Sequence, residues 1–172
     1  MNSISSEVLT PNESGKSLII GVGNPILSDD GVGIHIVKIL QKKFQHISNL
    51  EFDELSTGGL SLAERFIGYK NVLMIDAMAL EGGIPGAVYR LTIEDFKNTV
   101  HTYCAHDCNL ATAYEILKEK LGAEKMPENV VIIGIEVEVI TEFSETLTKT
   151  VQKALPEAIA LAEEEIREFI KQ

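Results

Sequence analysis

Cysteine is scarce in this sequence, with only two in 172 residues, so a disulfide-stapled scaffold is excluded. Cys104 and Cys108 are expected to remain thiols in a reducing compartment. Basic residues are outnumbered: Lys and Arg total 15 against 26 Asp and Glu, a net charge of -11. A broad phosphate-binding surface is therefore unfavourable, and nucleic acid is disfavoured as a partner. Long apolar runs are missing too. Stretches such as Val72 to Ile75 and Val130 to Ile135 fall far short of the ~20 residues that cross a bilayer, so no membrane partner is expected. The first fifteen residues have neither a basic start nor an apolar h-region, which places the protein in the cytoplasm by expectation. What is present, 45% apolar and 24% charged residues, fits one globular domain. Residues 1–15 read as a flexible N-terminal tail and residues 16–172 as a single α/β domain; the sequence leaves the oligomeric state open, with a monomer favoured.

Ser17 to Gly23 is a continuous apolar run ending in glycine, the pattern of a strand buried on both faces. After a polar loop, Val32, Ile36, Leu40 and Phe44 recur every four positions and predict a helix lying on a sheet. Leu50 to Leu55 reads as a half-exposed strand, Leu60 to Ile67 as a short helix, and Asn71 to Asp76 as another buried strand. Further on come a brief strand at Gly86 to Leu91, a helix through Leu110, Tyr114, Leu117 and Leu121 with Asp107 or Asn109 as its N-cap, and a buried strand at Val130 to Ile135. A long helix containing Pro156 closes the chain, with Glu163-Glu164-Glu165 as a solvated face. This alternation predicts a three-layer α/β sandwich: a mostly parallel sheet of about five strands with helices on both faces.

Gly21-x-Gly23 after the first strand invites a dinucleotide reading. The third glycine of that fingerprint is missing, and Asp29 and Asp30 at the helix start would repel a phosphate. Acidic residues there suit a cation instead, although Asp29 reads equally well as a cap. Asp76 closes a run of four apolar residues, where a carboxylate is costly unless it has a partner; a structural cap for a neighbouring loop is the plainer alternative. His106 precedes a helix from which it can point into the same switch-point crevice, though a lone histidine there is also a plain surface or capping residue. Asp30, Asp76 and His106 together offer two oxygens and one nitrogen, a set suited to a divalent transition metal. Cys104 and Cys108 are not spaced as Cys-x-x-Cys, which argues against a zinc knuckle or iron–sulfur cluster. Glu54, Thr57, Gly58 and Gly59 either form a simple strand-to-helix turn or contact an extended peptide substrate.

The segment Gly21-Val-Gly23-Asn24-Pro-Ile-Leu-Ser-Asp29-Asp30-Gly31-Val-Gly33 resembles the opening signature of the hydrogenase maturation endopeptidases. Glu54 to Leu60, Val72 to Ala77, Ala105-His106-Asp107, Gly134-Ile-Glu136 and Phe143 to Leu147 resemble its later motifs in order. The likeness spans about Leu18 to Ile166 and departs at Glu54, where many relatives carry Asp, and at Leu55-Ser56 in place of two glycines. It implies an aspartic-type endopeptidase that removes the C-terminal extension of a [NiFe] hydrogenase large-subunit precursor after nickel insertion. Asp30, Asp76 and His106 would be its catalytic and metal-contacting residues. The nickel would be carried by the substrate, and zinc or cadmium would substitute in the isolated protein. No Ser-His-Asp arrangement with a nucleophile elbow is visible. The competing expectation is a non-catalytic chaperone that binds nickel or the precursor during assembly.

Overall fold

The structure, a computed structural model, describes residues 15–98, 102–103, 110–138 and 142–172. Its six-stranded sheet comprises β1 (Ser17–Val22), β2 (Leu50–Leu55), β3 (Asn71–Leu80), β4 (Val88–Thr92), β5 (Thr102–Tyr103) and β6 (Asn129–Glu136). The strands lie in the order β2-β1-β3-β6-β4, with β5 alongside β3. The β1–β2, β1–β3 and β3–β6 pairs are parallel, whereas β4 and β5 run antiparallel to their neighbours. Since β1 is flanked by β2 on one side and β3 on the other, the chain reverses its winding direction between β1 and β3. This is the switch point, where the carboxyl ends of strands open a crevice.

The strands are surrounded by α1 (Val32–Phe44), α2 (Gly59–Arg65), α3 (Ile93–Asn98), α4 (Leu110–Leu121) and α5 (Lys149–Lys171). Successive strand residues point to opposite faces, and the two cores follow that alternation. Ile19, Leu73, Ile75, Ile133 and Ile135 pack with α1 and α5. Leu18, Ile20, Val72, Met74 and Ile132 pack with α2 and α4. This is the expected three-layer sandwich.

Three details differ from the expectation. β3 does not stop at Asp76 but continues to Leu80, because β6 pairs with it as far as Met78 and β5 takes up Ala79 and Leu80. α3 and β5 were not anticipated; with six and two residues they are too short to display a period. Nor is the Glu163 to Glu165 run simply a solvated face. Glu165 is buried and holds Arg90 of β4 through Nε–Oε1 at 2.6 Å and Nη2–Oε2 at 3.1 Å, while Glu163 meets Lys43 and Arg167. α5 covers β4 and β6, so its acidic side reaches Arg90 on the edge strand. Residues 1–14, Cys104, His106, Asp107, Cys108 and Asn109 lie outside the described residues.

Candidate active site

The chain leaves β1 through Gly23, whose φ of +136° no other residue adopts comfortably, and turns into a 3-10 segment, Ser28–Gly31, that runs straight into α1. A Cβ on Gly33 would lie 2.2 Å from the Ile75 carbonyl oxygen and 2.6 Å from that of Val22, so the first turn of α1 is seated against the ends of β1 and β3. One on Gly21 would meet the Gly33 carbonyl at 2.5 Å. These glycines are needed for helix-on-strand packing, which accounts for Gly-x-Gly without a nucleotide.

This seating carries Asp30 to the switch point. Asp30 is 3% exposed, and its Oδ2 accepts the Asn24 amide hydrogen at 2.7 Å. Asp76 is 1% exposed and follows Ile75, the residue whose carbonyl abuts Gly33; its Oδ1 accepts the Ala77 amide hydrogen at 2.8 Å. By strand alternation the Asp76 side chain lies on the α2/α4 face. The sheet therefore brings Asp30 and Asp76 to one edge from adjacent strands, and α4, which follows the His106 segment in sequence, covers the same face. Among the described residues no group of three or more His, Cys, Asp and Glu forms a metal site. Two oxygen donors suit a divalent cation, but a third ligand must come from elsewhere.

Asp29 has a different task. Both its oxygens are taken by Thr148, through the amide at 2.7 Å and the hydroxyl at 2.8 Å, and Thr148 is the N-cap of α5. Asp29 therefore does not cap the helix start where it sits, which has no side-chain cap, but anchors the N-cap residue of a helix that begins 119 residues away. The same junction is stitched by the Ser28 amide donating to the Ser144 carbonyl (2.7 Å) and the Ser144 amide donating to the Ile26 carbonyl (3.0 Å). Leu27 and Ser144 form a parallel bridge, which sets Ile26 beside Phe143, 84% exposed. Next to them opens a hollow of about 340 Å³ lined by Pro25, Ile26, Ile34, His35, Lys38 and Glu145.

Glu54 near the end of β2, and Thr57, Gly58 and Gly59 just after it, reach the same end of the sheet, where the Gly23 amide donates to the Leu55 carbonyl at 3.0 Å. Glu54 pairs with Lys38 at 3.3 Å and is exposed, as is Thr57. One buried carboxyl carried no role in the sequence reading: Glu136, 2% exposed at the end of β6. The signal was available, since Glu136 closes an apolar run just as Asp76 does. Burial raises its pKa above the usual carboxylate value, partly countered by a bond from the Leu80 amide.

Comparison with known proteins converges on one group. The family model described as hydrogenase maturation protease matches residues 34–165. The hydrogenase 2 maturation protease of Escherichia coli is 24% identical over 154 residues, covering 86% of this chain and 90% of that protein. The hydrogenase expression/formation protein HupD of Thiocapsa roseopersicina is 22% identical over 152 residues, covering 88% and 68%. In fold, the chain is similar to the hydrogenase maturating endopeptidase HybD from E. coli, with a TM-score of 0.68, 21% identity, and coverage of 89% and 93%. It is likewise similar to the [NiFe] hydrogenase maturation protease HybD from Thermococcus kodakarensis, with a TM-score of 0.62 and 22% identity over 87% of this chain and 97% of that one.

Proposed function

The chain belongs to the hydrogenase maturation protease family, and from that premise we propose that it removes the C-terminal extension of a [NiFe] hydrogenase large-subunit precursor, in the cytoplasm, after nickel has been inserted. The observation that carries this reading is the pair of buried carboxylates, Asp30 and Asp76, delivered to the switch point by adjacent strands. Burying two carboxylates at one edge costs desolvation free energy, and a cation brought by the substrate offsets it. Nickel held by the precursor would meet Asp30, Asp76 and His106, and would polarise the scissile carbonyl or activate a water. The exposed Ile26 and Phe143 and the neighbouring hollow offer apolar support for an extended peptide beside that pair, and Glu54, Thr57, Gly58 and Gly59 offer a second flank. Without the precursor, two hard carboxylates and one imidazole bind nickel weakly and zinc or cadmium comparably.

The test is to incubate the purified protein with nickel-loaded and nickel-free precursor and to weigh both products by mass spectrometry. Nickel-dependent loss of a C-terminal peptide supports the proposal. Binding without any change in mass supports a non-catalytic chaperone and overturns it.

A further inference from the structure

Glu136 sits where a protein core rarely keeps an acid. Its Oε1 accepts the Leu80 amide hydrogen at 2.8 Å, whereas Oε2 is buried with no hydrogen-bond partner among the described residues. The turn that follows β3 lies flat on this carboxyl: a Cβ on Gly83 would stand 2.2 Å from Oε1 and 2.3 Å from Cδ. The main chain of the same residue holds the far end of the connection. The Glu136 amide donates to the Ala87 carbonyl at 2.8 Å, and the Gly86 amide donates to the Glu136 carbonyl at 2.8 Å. One residue thus grips the β3–β4 connection at both ends, its side chain at Leu80 and its backbone at Gly86 and Ala87.

Its location links this grip to the candidate site. Glu136 pairs with Met78, and Gly134 with Asp76, so all four side positions share the face covered by α2 and α4. A Cβ on Gly134 would fall 1.8 Å from the Met78 sulfur, which places Met78 across that gap. With ~3.3 Å per residue along a strand and ~4.8 Å between strands, the Glu136 Cα is about 8 Å from that of Asp76. A leucine or methionine would fill the same space without leaving a buried carboxyl oxygen unanswered, so packing alone does not explain the acid. An acceptor for the Leu80 amide does.

We infer that Glu136 is a positioning residue, whose side chain and main chain together clasp the β3–β4 connection and so fix the stretch of β3 that carries Asp76. Burial of the carboxyl, which favours its neutral form, is compatible with that task, because the neutral acid keeps a carbonyl oxygen for the Leu80 amide. The inference rests on the proposed protease reading for its kinetic consequence, though not for its structural one.

Both consequences are measured on the full chain with Glu136→Ala, Glu136→Gln and Gly83→Ala. In Glu136→Ala, hydrogen exchange at the bonded amides of Leu80, Gly83, Gly86 and Ala87 should quicken about tenfold or more, while β1 and α1 amides stay unchanged. Glu136→Gln keeps an acceptor oxygen and should return exchange to within about threefold of the parent. Precursor cleavage should lose about tenfold in kcat in the Ala variant with KM nearly unchanged, and Gln should recover most of it. Gly83→Ala, which pushes a methyl group into the carboxyl, should copy the Ala variant and decides the matter if Glu136→Ala does not fold. Unchanged exchange in the turn overturns the clasp. Faster exchange with unaltered kcat overturns the positioning role. If the parent protein cleaves no precursor, the protease reading fails while the exchange measurement still decides the clasp.

Discussion

The polar groups at the two ends of the parallel sheet differ in kind. At the amino ends, Ser17, Asn71 and Asn129 stand in one row across β1, β3 and β6; Asn71 Nδ2 donates to Ser17 Oγ at 3.1 Å, and Asn129 Nδ2 donates to Asn71 Oδ1 at 2.8 Å. The row is neutral and its members answer one another. At the carboxyl ends stand four carboxyls, Asp29, Asp30, Asp76 and Glu136, each no more than 3% exposed. Neutral amides close a sheet at small cost, whereas clustered acids cost desolvation and mutual repulsion. The proposed function accordingly assigns stability to the amide end and chemistry to the acidic one. Within the acidic end, Asp29 and Glu136 accept from backbone distant in sequence, whereas the amides bonded by Asp30 and Asp76 come from Asn24 and Ala77 close by in the chain.

The largest effect should come from Asp30→Asn and Asp76→Asn. Each keeps shape and removes charge, so cleavage of nickel-loaded precursor should fall by about 100-fold or more while the melting temperature stays close to that of the parent. Cleavage at the parental rate in either variant would remove the functional half of the comparison.

Asn71→Ala is the matching change at the amino end. It strands the buried Ser17 hydroxyl and should cost about 1–3 kcal/mol in denaturant unfolding, with kcat per folded molecule unchanged. A variant that lost activity faster than stability would show that the two ends are coupled. Asp29→Ala should fall between: losing the anchor of Thr148 at the start of α5 costs about 1–2 kcal/mol, and the loop carrying Asp30 loosens with it. Unfolding and cleavage measured on the same preparation separate those two losses.

How much of this arrangement was legible in sequence follows from burial. β1, β3 and β6 are covered on both faces and so announce themselves as apolar runs, and α1, α4 and α5 show their buried stripes at helical spacing. Asp76 could be picked out because it closes an apolar run, and Asp30 because its loop leaves the first strand at the switch point. The task of Asp29 could not be read, since its partner Thr148 is distant in sequence and only the fold joins them. Arg90 and Glu165 were hidden for the same reason, as was the clasp made by Glu136, whose consequence depends on where a glycine turn lands.

The smallest expected effect probes a carboxylate near the amino end. Glu51, in β2, accepts from Lys16 Nζ and Tyr69 OH, each at 2.5 Å, so both its oxygens are answered, unlike those of Glu136. The bond from Lys16, then that from Tyr69, holds its pKa below the usual 4.5. Burial and the Glu51 carboxylate push the Tyr69 phenol up from 10.0 to about 12. A phenol with a raised folded pKa stabilises the protein fully below pH 10, and that contribution fades as pH climbs toward about 12. For Glu51 the sign is opposite: its contribution is present above pH 4.5 and is lost as pH falls through its lowered folded value. Tyr69→Phe should therefore cost only about 1 kcal/mol at neutral pH, flatten the fall in stability between pH 10 and 12, and leave precursor cleavage untouched. Unfolding curves recorded across that alkaline range check it, and an equally steep fall in the Phe variant would mean that this end of the sheet does not owe its alkaline sensitivity to the Tyr69–Glu51 bond.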